Sequence, residues 1–293
     1  MSVRAIGAIA AAVVSVFALS SATRAAGSLV FTTLDVPGAT LTNSQGINHQ
    51  GDVVGTFIDA GGLQHGFLRT GSQYRTIDVP GGRLTFARGI NDAGDIVGTY
   101  QRPSDPVGGI PQHGFLLTRR SGLLSVEYPG HLNTIPQRIL NDGTILGCYH
   151  DNDTMGSMHG FQFHRGFSAI DMGMSMHNGA TPDGQYTVGL FTDADGRGKA
   201  YVMNGMSFSP LEMPGALSTA GWDVNPSRVI VGVFTDAAGA THGFEYDGRS
   251  FTRVDVPGAS LSRIFGINDR GDVVGNFVDA AGRTHGFVGV VTQ

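Results

Sequence analysis

From Leu29 onward apolar and polar residues alternate in short runs, and each run is cut by a cluster of Gly, Asn, Asp or Pro. A period of two over so few residues belongs to β-strands, whose successive side chains point to opposite faces. In one such stretch Phe86 to Asn91 reads as a first strand and Asn91-Asp92-Ala93-Gly94 as a tight turn. Asp95 to Tyr100 follows as a second strand, Gln112 to Thr118 as a third and Leu123 to Glu127 as a fourth. The turns Asp59-Ala60-Gly61-Gly62, Asp236-Ala237-Ala238-Gly239 and Asp279-Ala280-Ala281-Gly282 suit a type I turn closed by a glycine at positive φ.

The stretch is written six times. A D-V-P-G phrase or its variant starts at Asp35, Asp78, Glu127, Asp171, Glu212 and Asp255, at spacings of 43, 49, 44, 41 and 43 residues. Each copy runs on into V-G-x-F and then H-G-F, whose histidine recurs as His65, His113, His159, His242 and His285, with Lys199 in its place in the fourth copy. Such a period marks a repeat architecture, and four short antiparallel strands per unit of about 44 residues make one blade of a β-propeller. Leu29 to Val36 is a lone fourth-type strand, and the chain finishes at Val291 just after a third-type strand. The N-terminal strand therefore completes the last blade and removes two exposed sheet edges. The reading is all-β: a single six-bladed β-propeller domain over residues 27–293, with the ring closed by the N-terminal strand. An open β-solenoid, the rival, would need end caps that the sequence lacks.

The repeat resembles the HAF type of bacterial extracellular repeats. The resemblance rests on G-I-N-x-x-G-x-[IV]-V-G at Gly46 to Gly55, Gly89 to Gly98 and Gly266 to Gly275. It rests also on His65-Gly66-Phe67-Leu68 and His113-Gly114-Phe115-Leu116. It implies export and a propeller-like fold, with no generally assigned catalytic chemistry. The fourth copy departs most, with Lys199-Ala200-Tyr201 for H-G-F and Gly173 for Pro.

The first 26 residues read as a secretory signal peptide: Arg4, then an apolar stretch from Ala5 to Ser20, then small residues suited to cleavage. The stretch is short for a membrane span, and the mature chain is expected to be secreted or periplasmic. Setting Arg4 and Arg24 aside from 19 basic side chains, against 24 acidic ones, leaves a net charge of about −7, which disfavours a nucleic-acid partner. Glycine makes up 45 of 293 residues, but at fixed offsets in the repeat, so it marks turns and close packing. Cys148, the only cysteine, stands at a strand position and reads as a buried small hydrophobe. No cofactor or metal is expected, and the molecule is expected to be a monomer.

The repeated histidine suggests metal binding or catalysis, yet a residue present in nearly every copy is expected to serve every blade, through a hydrogen bond to a neighbouring strand. Asp193-Ala194-Asp195-Gly196 looks like the start of a calcium loop but lacks the downstream Glu. Arg270-Gly271-Asp272 spells an adhesion tripeptide inside an ordinary hairpin. Function should lie where copies differ. Asp105, His131, His150, Asp151, Asp153 and His177 fall on the face that carries the second-to-third-strand loops of blades two, three and four. Arg88, Arg138, Trp222 and Asp223 fall on innermost strands near the channel wall. An aromatic with arginines and carboxylates fits sugar stacking and hydrogen bonding, while Trp222 as a plug in a core gap is the bland alternative.

Two functions follow. One is a binding or scaffold module recognising a glycan or a protein at the cell envelope or outside the cell; the chain carries no G-x-S-x-G, H-E-x-x-H or P-loop. The other is a polysaccharide hydrolase or lyase with Asp151 or Asp153 as acid or base, His150 or His177 as proton partner, and Arg88 or Arg138 on a substrate carboxylate.

Overall fold

The computed structural model describes residues 29–105, 112–131, 133–151, 157–170 and 173–292. The proposed leader peptide and Asp153 lie outside these residues. The described chain forms six four-stranded antiparallel sheets. In blade two the strands are β6 (Leu84–Ile90), β7 (Ile96–Gln101), β8 (His113–Thr118) and β9 (Gly122–Val126), hydrogen-bonded in that order. Blade six consists of β22 (Leu261–Ile267), β23 (Val273–Val278) and β24 (Thr284–Val291), completed by β1 (Leu29–Leu34). β1 pairs antiparallel with β24 from Leu29 opposite Val291 to Leu34 opposite Gly286. The fold is a six-bladed β-propeller closed by its N-terminal strand. Among the described residues no helix is long and apolar enough to cross a membrane.

The repeated phrases have a packing cause. The glycine of V-G-x-F stands directly opposite the aromatic of H-G-F in every blade: Gly55 and Phe67, Gly98 and Phe115, Gly147 and Phe161, Gly189 and Tyr201, Gly232 and Phe244, Gly275 and Phe287. These aromatics are 0 or 1% exposed. A Cβ on Gly98 would fall 1.9 Å from the Phe86 carbonyl oxygen and 2.9 Å from the Phe115 ring. The strand must lack a side chain there for the ring to lie flat between blades.

The innermost strands β2 (Leu41–Ile47), β6, β10 (Asn133–Ile139), β14 (Ser175–Ala180), β18 (Ser218–Val224) and β22 surround the axis. Each carries a β-bulge at the same place. The extra residue is Gln45, Arg88, Gln137, Asn178, Trp222 or Phe265 in successive blades. A bulge re-aims a side chain, so each blade offers one such position beside the channel. The face of the second-to-third-strand loops is called the loop face below, and that of the first-to-second-strand turns the turn face.

The turn face is held by a second repeated device. Asn225 donates to the Asn268 carbonyl, Asn268 to that of Asn48, Asn48 to that of Asn91, and Asn91 to that of Leu140, at 3.2 to 3.3 Å. Each amide thus ties one blade to the next, in addition to accepting a backbone N–H of its own turn. Leu140 and Thr181 occupy the corresponding positions in blades three and four.

Candidate functional site in the central channel

The bulge is followed in four blades by a glycine, Gly46, Gly89, Gly179 or Gly266, and in the other two by Arg138 and Asp223. These two cross from blade three to blade five and meet at 3.0 Å, with side chains only 8 and 7% exposed. Arg138 Nη2 also donates to the Phe265 carbonyl at 2.9 Å. Asp223 accepts the backbone N–H groups of Ile267 and Val224 at 3.1 and 3.0 Å. The neighbouring glycines leave room for the pair. A Cβ on Gly46 would lie 3.1 Å from Arg138 Nη1, and one on Gly179 would lie 2.5 Å from Asp223 Oδ1. Burial pushes the Asp223 carboxyl up to about 6, against the opposing pull of Arg138 and the two backbone donors. The pair is the plug of the channel, dividing it into two mouths.

Below the plug, on the turn face, is a cavity of about 210 Å³. Its rim is a hydrogen-bonded collar: His49 Nδ1 meets Asp269 at 2.6 Å, the His49 backbone N–H donates to Asp92 at 2.9 Å, and Asn141 donates to Asp92 at 2.6 Å. Pro182 and Pro226 occupy the corresponding places in blades four and five.

On the other side of the plug the wall is built from the bulge residues. The Trp222 and Phe265 rings meet edge to face at 4.9 Å. Trp222, Gln45 and Arg88 are partly exposed, while Gln137, Asn178 and Phe265 are buried. The Arg88 guanidinium lies 5.4 Å from the Phe86 ring centre and donates to the side-chain oxygens of Gln137 at 3.4 Å and Gln112 at 3.2 Å. Gln112 immediately precedes β8, at the loop-face end of that strand, so the guanidinium is turned towards the loop face. Burial lowers the Arg88 pKa to about 10, leaving it charged at neutral pH.

The histidine of H-G-F has a fuller role than a single bond to a neighbouring strand. His65 is joined to Asp78 at 2.9 Å and Asp59 at 3.4 Å, and His113 to Glu127 at 3.2 Å and Asp105 at 3.3 Å. His242 is joined to Asp236 and Asp255 at 3.2 and 3.1 Å, and His285 to Asp35 and Asp279 at 2.8 and 3.2 Å. One carboxylate comes from the second-to-third-strand turn and the other from the residue that opens D-V-P-G. Each ring thus clasps a turn to the exit of the fourth strand. In blade four Lys199 does the same between Asp193 and Glu212, at 3.1 and 2.8 Å.

Asp105 and Asp151, read from the sequence as site residues, are therefore clasp carboxylates of blades two and three. Asp151 meets His159 at 2.9 Å and, with its other oxygen, His131 at 3.0 Å. The structure brings His131 and Asp151 together, while His150 and His177 are buried. His150 is the last residue of β11 (Ile145–His150), not part of the loop, and is 0% exposed with its ring 3.8 Å from Cys148 Sγ. His177 is also 0% exposed, bonded to the Tyr201 hydroxyl and 3.1 Å from the Ile170 carbonyl. The Ile170 contact requires Nε2–H, so Nδ1 accepts from Tyr201; burial drives the His177 pKa down to about 4 and keeps the ring neutral. A wall residue of this kind presents no surface to a substrate, and neither does His150.

The remaining candidates are turns. Asp193 accepts the N–H groups of Asp195 and Arg197, and Arg270 pairs with Asp272 at 3.0 Å inside its own hairpin. Among the described residues no group of three or more His, Cys, Asp and Glu side chains is placed to hold a metal ion. Cys148 is 0% exposed, and burial pushes its thiol up to about 12. Sequence reasoning singled out Arg88, Arg138, Trp222 and Asp223 but missed Gln45, Gln112, Gln137, Arg263 and Phe265. The available signal was variation in the residue before G-I-N, the bulge position.

No family model matches the chain, and no curated protein matches it in sequence. Solved structures match it in fold. A gluconolactonase from Xanthomonas campestris superposes with a TM-score of 0.53 at 12% identity, covering 92% of this chain and 99% of that one. An Aleuria aurantia lectin mutant in complex with Fucα1-6GlcNAc gives 0.51 at 11% identity, over 89 and 98% of the two chains. The β-propeller domain of the Trilobed protease from Pyrococcus furiosus gives 0.52 at 9% identity, over 86 and 94%. At these identities the chain shares a propeller fold with proteins of different activities.

Proposed function

We propose that the protein is an exported binding module that takes a glycan at the loop-side mouth of its channel. The observation that carries the reading is the set of bulge residues. Positions equivalent by the repeat carry Gln, Arg, Gln, Asn, Trp and Phe, of which Gln45, Arg88 and Trp222 are partly exposed, whereas the residues required for packing barely change. Aromatic faces beside amides and a guanidinium suit a pyranose, with its apolar ring faces and its hydroxyl rim. Among the proteins of this fold, the lectin and the gluconolactonase have carbohydrate ligands or substrates by name. They support the idea that such a ring can hold a sugar, and lend no residue to it. Binding is favoured over turnover because His150 and His177 are sealed in the walls and Asp151 is engaged by two histidines. Export rests on the leader read in residues 1–26, and kinship with HAF-type repeats rests on the repeated motifs.

The test is size-exclusion chromatography of the mature protein with labelled acidic and neutral polysaccharides, following both components. Co-elution of protein with an intact glycan is expected, and Trp222→Leu should abolish it. Shortening of a glycan would replace the reading with an enzyme, and no co-elution with any glycan would remove it.

A further inference from the structure

Several arginines of this protein find carboxylates. Arg102 reaches Glu127 at 2.6 Å, Arg138 Asp223 at 3.0 Å, Arg253 Asp255 at 2.5 Å, Arg270 Asp272 at 3.0 Å and Arg283 Asp279 at 3.2 Å. That is the expected outcome in a chain of formal net charge −5. Two arginines on the inner strands differ. Arg88 is held by the side-chain oxygens of Gln112 and Gln137, which orient the guanidinium without neutralising it. Gln112 is itself fixed by Thr99 Oγ1 at 2.7 Å and by its own N–H to Asn133 at 2.7 Å. Arg263 lies on β22 two residues before the Phe265 bulge, where blades one and two carry Asn43 and Phe86. It is half-buried, burial lowers its pKa, and it has no ion pair with a carboxylate among the described residues.

The two charges flank one arc of the wall. From blade five to blade two it carries Trp222, then Phe265 with Arg263, Gln45 with Asn43, and Arg88 with Phe86. Within this arc Nε of Arg88 and Oδ1 of Asn43 are buried and have no hydrogen-bond partner among the described residues. Buried polar atoms are ordinarily satisfied, and an orphan in a native wall points to a ligand or ordered water that completes it. An uncompensated guanidinium in a low-dielectric recess is costly and raises the local potential, which an arriving anion relieves. The guanidinium fork matches carboxylate and sulfate oxygens alike, while the aromatic and amide neighbours ask for a sugar ring around the charge.

Resting on the glycan-binding reading, we infer that the loop-side mouth selects anionic glycans, with Arg88 and Arg263 reading the acidic group and Trp222 stacking on the ring. The plug lies beneath this arc; Arg138 has Nε and Nη1 without partners among the described residues, but its charge is already matched by Asp223.

Isothermal titration calorimetry of the mature protein tests the inference with three probes: an oligogalacturonate, a sulfated oligosaccharide and a neutral oligosaccharide. At least one acidic probe should bind ten-fold or more tighter than the neutral one, and which of the two does so distinguishes carboxylate from sulfate. Arg88→Gln and Arg263→Gln should each remove about ten-fold of that preference, and Trp222→Leu should abolish binding of acidic and neutral probes alike. Arg263 is half-exposed, so its variant keeps the test open if Arg88→Gln does not fold. Equal affinity for acidic and neutral probes, or folded arginine variants that bind acidic probes as the parent does, would overturn the inference; loss of neutral binding in Trp222→Leu would then show that the glycan site itself stands. Absence of binding to every probe would overturn both.

Discussion

At the rim of the loop face, four histidines and one lysine each lie between a turn carboxylate and a D-V-P-G carboxylate, while His159 has Asp151 and, through it, His131. Along the channel, the six bulge positions carry five kinds of residue. The rim solves a problem that every blade has, which is to fix the second-to-third-strand turn against the outermost strand. The channel solves no such shared problem, because a bulge side chain that points past its own blade has no packing partner demanded by the repeat. Repetition therefore marks structure, and departure from it marks either a unique structural element or a site. The plug is of the first kind, and the Arg88–Arg263 arc is proposed as the second.

Breaking the plug should have the largest effect. Asp223→Ala leaves the Arg138 guanidinium buried without its counter-charge, and removing one partner of a buried pair costs about 3–5 kcal/mol. Chemical denaturation should show that loss, and Arg138→Leu combined with Asp223→Leu should recover much of it, since neither change then strands a charge. A loss below about 1 kcal/mol for the single variant would mean that the channel does not need its plug. It would also return the pair to the list of ligand groups.

The same contrast explains what could be read from the chain. Six blades and their closure were legible because the glycine–aromatic pairing of Gly98 with Phe115 recurs in every copy, and because β1 supplies a lone fourth-type strand. The bulges were not legible, since one inserted residue leaves the strand alternation nearly intact; only adjacent buried positions such as Gly89 and Ile90 betray it. Arg138 and Asp223 stood out as departures, but their meeting is a property of ring closure, which brings blade three and blade five to one axis. His150 was misplaced by a single residue at a strand end, and that residue decides between solvent and wall. His177 sits at the position of Ser44 and Ala87. A large ring fits there only because the opposing Gly160 has no side chain, a Cβ on which would lie 2.5 Å from His177 Cδ2.

A smaller effect is expected at the clasp, and it depends on pH. Burial opposes a charge on His65 and His285, but Asp78 and Asp59, and Asp35 and Asp279, outweigh it and raise both pKa values above the ordinary 6.5. A pKa higher in the folded state means that folding takes up protons. The contribution is complete below pH 6.5 and fades as pH rises through the raised folded values. His285→Ala should cost about 1 kcal/mol at pH 6 and less at pH 8. Urea denaturation at the two pH values checks this, and equal losses would show that the ring acts by packing on Phe277, which it stacks upon at 5.1 Å. The opposite limb belongs to Asp279. The Arg283 N–H first, and then His285 and Arg283 side chains, hold its carboxyl down to about 2, so its share of the clasp is lost as pH falls from about 4 towards 2.

The finest test exchanges one blade's solution for another's. Lys199 replaces the histidine in blade four, and the hydrogen bonds it donates, to Glu212 first and Asp193 second, raise its pKa above the usual lysine value. This clasp therefore stays charged across the whole range in which the others titrate. Lys199→His should keep the bridge, because Asp193 and Glu212 remain, yet add a pH-dependent increment that blade four does not have. Stability at pH 6 should change by less than about 1 kcal/mol, with a further small decline towards pH 8 that parallels blades one and six. A variant as stable at pH 8 as at pH 6 would show that blade four does not share the clasp geometry, and that Lys199 is a departure of the second kind, belonging with the channel residues and not with the rim.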